Sequence, residues 1–229
     1  MLIILFAALA LFTKAQTEFQ AIDRNAVAKQ VKDTTAGSYY PRLLARFNSF
    51  DSSLTNEDYR LLYYGFVFQD DYAGDGDEKK TEIRSALKNN DYNLASALCD
   101  SVLATDPVCL SANYNKALVL YLKDKADTTY KKYGNRYRNL LAAIVSSGDG
   151  LSCKTSFRTI SVSDEYEVMY NYFEIEKISG QALIYPCDKM SVTPSVYYKS
   201  TEMYFDTSES MMYIDNLMKP GKPKKKKGS

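Results

Sequence analysis

Acid–base chemistry near neutral pH ordinarily uses histidine, and this chain of 229 residues contains none. That removes the histidine-based triads and every histidine–zinc site. Cys99, Cys109, Cys153 and Cys187 therefore lack the base that a cysteine nucleophile needs. Carboxylates remain, because a glycosidase needs only two of them. With 28 acidic residues, however, accidental pairs are common and no spacing singles one out. One loop has metal-like spacing: counted from Asp71, positions five, six and twelve are Asp75, Gly76 and Glu82, as in a calcium-binding EF-hand loop. Ala73 at position three and Lys79 at position nine take away oxygen ligands, so the loop reads as an acidic turn between two helices. No glycine-rich phosphate loop follows a strand pattern. These residue types point away from an enzyme, and no cofactor or metal is expected.

Tyrosine is the residue the chain carries in quantity, 20 copies with no tryptophan beside them. Tyrosine offers large contact area at low entropic cost plus a hydroxyl, which suits recognition of protein or sugar. Tyr63, Tyr64, Tyr114 and Tyr121 are the candidate binding surface, for a protein or peptide partner or for a carbohydrate. The competing reading puts such a helical aromatic stripe in the core. Lys222, Lys224, Lys225, Lys226 and Lys227 form a candidate electrostatic tail, whose like charges repel and keep it extended. Over the whole chain 29 basic residues meet 28 acidic ones, so no net field favours nucleic acid.

The elements that must position these residues are helical through the first two thirds. Leu54-Thr55-Asn56-Glu57-Asp58-Tyr59 is a helix start: Thr55 caps, Asp58 reaches back, and Leu54 staples onto Tyr59. The helix runs to about Phe68. A second helix over Tyr39–Phe50 precedes it, with Leu43, Leu44 and Phe47 on one face, and the segment before that reads as a polar lead-in or a short strand. From Asp77 to Lys123 two helical patterns are separated by Asn89-Asn90-Asp91, the second closes at Asp106-Pro107, and a third follows. Ala86, Ala95 and Cys99 stand where two helices cross closely, the spacing of one and a half tetratricopeptide-like repeats. About three repeats are needed to bury a continuous core, so the helix from Thr55 to Phe68 and the helix from Thr129 to Ser147 are expected to cover the two sides of this hairpin.

After Gly148-Asp149-Gly150 the pattern changes to short β-prone segments. Strands are expected at Phe157–Val162, Gln181–Tyr185, Lys189–Val192 and Met203–Asp206, with a helix over Glu165–Glu174. A last helix, Glu209–Met218, follows a Ser208 cap and turns Met211, Met212, Ile214 and Leu217 inward. The expected fold class is α+β, N-terminal helical hairpins followed by a small antiparallel sheet with helices.

Leu2 to Phe12 is an unbroken apolar run, the length of a signal-peptide core and too short to span a bilayer. Small residues at Thr13 and Ala15 place cleavage after Ala15, with retention as an anchor the alternative, since no basic residue precedes the run. The organisation is then signal peptide 1–15, lead-in 16–38, helical region 39–147, α+β region 148–218 and lysine-rich tail 219–229. The mature chain is expected to have no transmembrane span and to be periplasmic or associated with the cell surface. Export permits disulfides, and pairing within each region is the economical choice, with Cys99 as a buried hydrophobe the alternative.

The run Leu54 to Phe66, the hairpin helices, Gly148-Asp149-Gly150, Ile160 to Tyr166, Cys187-Asp188 and Tyr204-Phe205-Asp206 together resemble an uncharacterised exported family of Bacteroides-type bacteria, a tetratricopeptide-like domain of unknown function. The resemblance implies no reaction and no ligand. The expectation for function is a non-enzymatic protein- or peptide-interaction module, with carbohydrate binding through exposed tyrosines as the alternative and a carboxylate hydrolase third.

Overall fold

The computed structural model describes residues 19–74 and 78–219. The apolar run at Leu2–Phe12, the turn residues Asp75, Gly76 and Asp77, and the lysines from Lys222 to Lys227 lie outside the described residues. Helices come first: α1 Arg24–Lys32, α2 Tyr40–Asn48, α3 Asn56–Gly65, α4 Glu78–Lys88, α5 Tyr92–Thr105, α6 Leu110–Lys123 and α7 Thr129–Val145. Strand β1 Phe157–Arg158 and helix α8 Val162–Glu167 follow. Then come β2 Ile178–Ile184, β3 Cys187–Val192, β4 Glu202–Asp206 and helix α9 Ser208–Met218. The fold is α+β.

The third helix is the axis of the helical half. Thr55 and Asp58 form a reciprocal capping box, with Asp58 N–H donating to Thr55 Oγ1 at 3.2 Å and Thr55 N–H to Asp58 Oδ2 at 2.9 Å. Beyond the cap, Tyr59 and every residue from Leu61 to Gly65 are buried, so this helix is apolar nearly all round, as a helix enclosed by neighbours must be. It packs against α1, α2 and α7 and runs on into a 3₁₀ turn, Phe66–Phe68. At Gly65 an added Cβ would lie 2.8 Å from Val31 Cγ1, so the missing side chain lets α1 approach.

The polar lead-in is a helix rather than a strand. Asp23 caps it through Oδ1, which accepts from the Asn25 and Ala26 amides. Only Val27 and Val31 of α1 are buried. Two apolar residues four apart are too thin a stripe to announce an amphipathic helix, and contact with α3 supplies what the local pattern lacks.

Helices α4 to α7 pack each on the next. Ala86, Ala95 and Val119 form a small separate core, with Leu87, Tyr92 and Leu98 against it. Asn90 takes a positive φ of 57° in the turn before α5, and Asp91 caps that helix by accepting from Leu94 N–H at 3.0 Å. Across the α5–α6 seam the buried Lys116 ammonium reaches Asp100 and Ser96 Oγ, each at 2.7 Å. Asn113 holds the start of α6 by donating to the carbonyls of Pro107 and Cys109.

The sheet order is β1-β4-β3-β2, with β1 parallel to β4 and the other pairs antiparallel, so the sheet is mixed rather than antiparallel. Strand β1 is two residues long because the chain leaves the ladder at Thr159 and enters α8 at Val162, ahead of the expected helix start. Gly148 and Gly150 permit this corner: a Cβ at Gly148 would meet Thr155 O at 2.3 Å, and Gly150 (φ 69°) lies against the Phe157 ring. A π turn, Val168–Tyr172, continues α8.

Register sorts the side chains into two faces. Gln181, Leu183, Asp188, Met190, Met203 and Phe205 share the face that meets the helices, whereas Gly180, Ala182, Ile184, Cys187 and Lys189 point the other way. One continuous core joins Leu140 and Ile144 of α7 to Phe157, Met190 and Phe205 of the sheet. Glu209 of α9, itself 4% exposed, receives Arg24 and Arg158 at 3.0 Å each and so ties α1, β1 and α9 together.

Cys153 and Cys187 are disulfide-bonded, with Cα atoms 5.7 Å apart, linking a 3₁₀ turn at Cys153–Thr155 to the start of β3. Cys99 and Cys109 do not pair. Both are buried thiols, which burial pushes up to about 11 and about 12. Helix α9 turns Met211 and Met212 only partly inward and leaves Ile214 and Leu217 exposed, while Tyr213 packs inward against Tyr72. Closing a loop with a separation of 34 residues restricts the unfolded chain, so Cys153→Ser with Cys187→Ser is expected to lower unfolding stability by roughly 3–4 kcal/mol. Urea denaturation of the two forms checks this, and equal midpoints would refute it.

Candidate functional site

Two regions gather functional side chains, and they differ in kind. The first lies where α3, α6 and α8 meet. Ser161 and Ser163 begin α8, Asp164 sits in its first turn, Asp106 precedes α6 and Lys80 comes from α4. These residues line one cavity with Phe66, Tyr72, Val108, Cys109 and Ile160. The Tyr63 hydroxyl donates to Asp164 Oδ2 at 2.6 Å and accepts from Ile160 N–H at 3.1 Å. Tyr72 donates to Ile160 O at 2.6 Å, and Lys80 Nζ lies 2.7 Å from Ser163 Oγ.

Burial dominates the electrostatics of this cluster. It pushes Asp164 up to about 8, against the Tyr63 hydrogen bond and the Lys80 charge that favour the carboxylate. It likewise pushes Asp106 up to about 6, opposed by Lys80. Asp106 Oδ1 is enclosed and meets no donor among the described residues. Two acids with raised values facing a lysine are the groups a carboxylate hydrolase would need. The cavity between them measures about 10 Å³, the space of a single water. The arrangement can store protons, but it has no room for a sugar.

The tyrosines expected on one surface divide. Tyr63 and Tyr64 are core residues, 0% and 3% exposed, because α3 is enclosed on every side. Their hydroxyls are spent internally: Tyr64 donates to Arg158 O at 3.1 Å, and burial holds both phenols well above their ordinary range. Tyr114 and Tyr121 do reach solvent, at 40% and 38%. Each packs on an α7 tyrosine, Tyr114 on Tyr137 and Tyr121 on Tyr130, with both centroid distances 5.2 Å. The seven-residue steps run in opposite directions, so these pairs close the α6–α7 seam. The sequence pattern places Tyr63 and Tyr64 on a helix but carries no sign of which sides of that helix are covered.

The second region was not legible as a site. Strand β2 is the outer strand of the sheet, and Leu183 on its helix-facing side is 61% exposed. Beside it Ile214 of α9 is 52% exposed, and Val162, Gln181 and Met211 complete a groove of about 330 Å³. Asp188, Thr207 and Ser210 supply its polar wall. Ile184 and Tyr185 extend the uncovered apolar surface around the strand end, and Leu217 and Met218 extend it along the helix. One signal for it exists in the sequence: Ala182-Leu183-Ile184 is apolar on both faces, whereas a strand with one wet face alternates.

The fold is thus an α+β domain in which a helical array and a four-stranded mixed sheet share one core. The chain belongs to the family described as a domain of unknown function (DUF4919), which matches residues 25–216. No curated protein and no solved structure matches it.

The acid pair makes a sign-specific prediction. Above about pH 4 the unfolded carboxyls have released protons that Asp164 and Asp106 still hold when folded. The native state therefore binds more protons, and stability falls as pH rises from about 4 towards about 8. The slope is at most about 1.4 kcal/mol per pH unit for each group. Asp164→Asn is expected to flatten the part of this profile above about pH 6, measured as urea midpoints across the range. An unchanged slope in that variant would contradict the assignment.

Proposed function

We propose that this chain is an exported, non-enzymatic protein-interaction module whose docking face is the apolar edge formed by β2 and α9. The observation that carries the reading is the groove lined by Leu183 and Ile214, both more than half exposed, beside a strand edge that has no partner among the described residues. A free strand edge supplies main-chain hydrogen bonds to an incoming chain, and an adjoining apolar groove supplies side-chain selectivity. Contiguous exposed apolar surface of this sort marks interaction sites.

The non-enzymatic part is supported by the absence of histidine and by the one-water cavity at the only acid pair with raised values among the described residues. Export is supported by the apolar run Leu2–Phe12 and by the Cys153–Cys187 disulfide, a bond that persists in oxidising compartments. No helix of the described residues is long and apolar enough to cross a membrane. The tetratricopeptide-like spacing of α4 to α6 then serves as scaffold. Its α6 side is covered by α7 and α8, and the groove proposed for a partner lies instead between β2 and α9.

Charging the groove tests the reading. Immobilised protein carrying Leu183→Asp and Ile214→Asp is expected to lose at least tenfold of its capture of envelope proteins, about 1.4 kcal/mol or more. Tyr121→Ala, remote from the groove, should retain it. Equal capture by all three proteins would remove the assignment.

A further inference from the structure

The occupant of the β2 edge can be argued from the strand itself. We propose that β2 pairs antiparallel with β2 of a second copy of this chain, continuing the sheet across a twofold axis at Ala182. The inference rests on reading this edge as the docking face and names its partner.

Three observations converge. First, β2 carries none of the charges or prolines by which edge strands avoid pairing: from Ile178 to Tyr185 there is no charged residue and no proline, and the strand is seven residues long. Two identical strands of this kind meet without like-charge repulsion. Second, the regular part of the ladder runs from Gly180 to Ile184, bounded by an irregularity between Ile178 and Gly180 and by Pro186, which has no N–H to pair. Ala182 is its midpoint. A twofold axis there sets Gly180 opposite Ile184 of the second copy, small against large, on the face pointing away from the helices. On the other face it sets Gln181 opposite Leu183 of the second copy. Third, both faces of the strand expose apolar side chains, Leu183 towards α9 and Ile184 away from it. That is the character of a strand inside a sheet rather than at its margin. A neighbouring strand would lie along the open side of the groove and cover Leu183. A closed twofold contact of this type is the commonest way in which identical chains assemble.

The test uses the full-length chain, purified under non-reducing conditions and examined by sedimentation equilibrium. Wild type is expected at twice the chain mass. Ala182→Lys sets two ammonium groups face to face across the axis and is expected to weaken association roughly tenfold or more, with unchanged circular dichroism because Ala182 is exposed. Ala182→Cys is expected to form an intermolecular disulfide, since directly opposed residues in an antiparallel pair satisfy its geometry. Cys99 and Cys109 are buried and do not compete. A single-chain mass at the highest soluble concentration would overturn the pairing, and so would a dimer that survives Ala182→Lys or fails to cross-link through Ala182→Cys. A single-chain protein that still captures envelope proteins through the groove would overturn the pairing alone and leave the docking face in place.

Discussion

Everything in this fold leans on the hydroxyl of Tyr63. It lies in the buried second half of α3, accepts a hydrogen bond from Ile160 N–H and donates one to Asp164. The stretch from Thr159 to Ser161 has left the β1 ladder and is not yet in α8, so the Ile160 amide has no secondary-structure partner. A buried backbone group in that position must find one elsewhere. Tyr63 supplies it, Tyr64 does the same for the Arg158 carbonyl, and Tyr72 does so for the Ile160 carbonyl. Three aromatic side chains on and just after α3 thereby anchor the sheet half to the helical half, and their rings fill the core between them.

The same contact encloses the raised acids. Asp164 is brought under Tyr63 by the first turn of α8, and the enclosure that raises its proton affinity also squeezes the cavity to about 10 Å³. Perturbed carboxyls mark functional sites only where a substrate can reach them. The opposite condition holds at the outer strand, where Leu183 and Ile214 stand uncovered beside a groove of about 330 Å³. Chemical oddity and accessibility are separated in this molecule, and the docking face proposed above rests on accessibility.

Much of the helical half was legible because its signals are local. The Thr55–Asp58 box, the break at Asn89-Asn90-Asp91 and the stop at Asp106-Pro107 are local signals, and each appears where the spacing puts it. Helix α1 was not legible, since its buried pair Val27 and Val31 gains its meaning from packing on α3, where Gly65 lets Val31 approach. The parallel pairing of β1 was likewise hidden: Phe157-Arg158-Thr159-Ile160 alternates like any strand, and only Phe205 and Asp206 decide its neighbour and direction. The Lys116–Asp100 pair was invisible for the same reason, a lysine on a helix being an ordinary surface residue until another helix covers it.

By itself the sequence determined the fold class, most helix limits, the absence of histidine chemistry and the presence of an apolar strand without alternation. Those are matters of residue type and short spacing, which the backbone enforces before any long-range contact forms. Only the tertiary structure decided which apolar faces are covered: Tyr63 and Tyr64 went to the core, Tyr114 and Tyr121 to a helix seam, and Leu183, Ile214 and Leu217 to the surface. Periodicity states that a face is apolar, but what lies against that face is set by elements distant in sequence, and the site follows from the face left open.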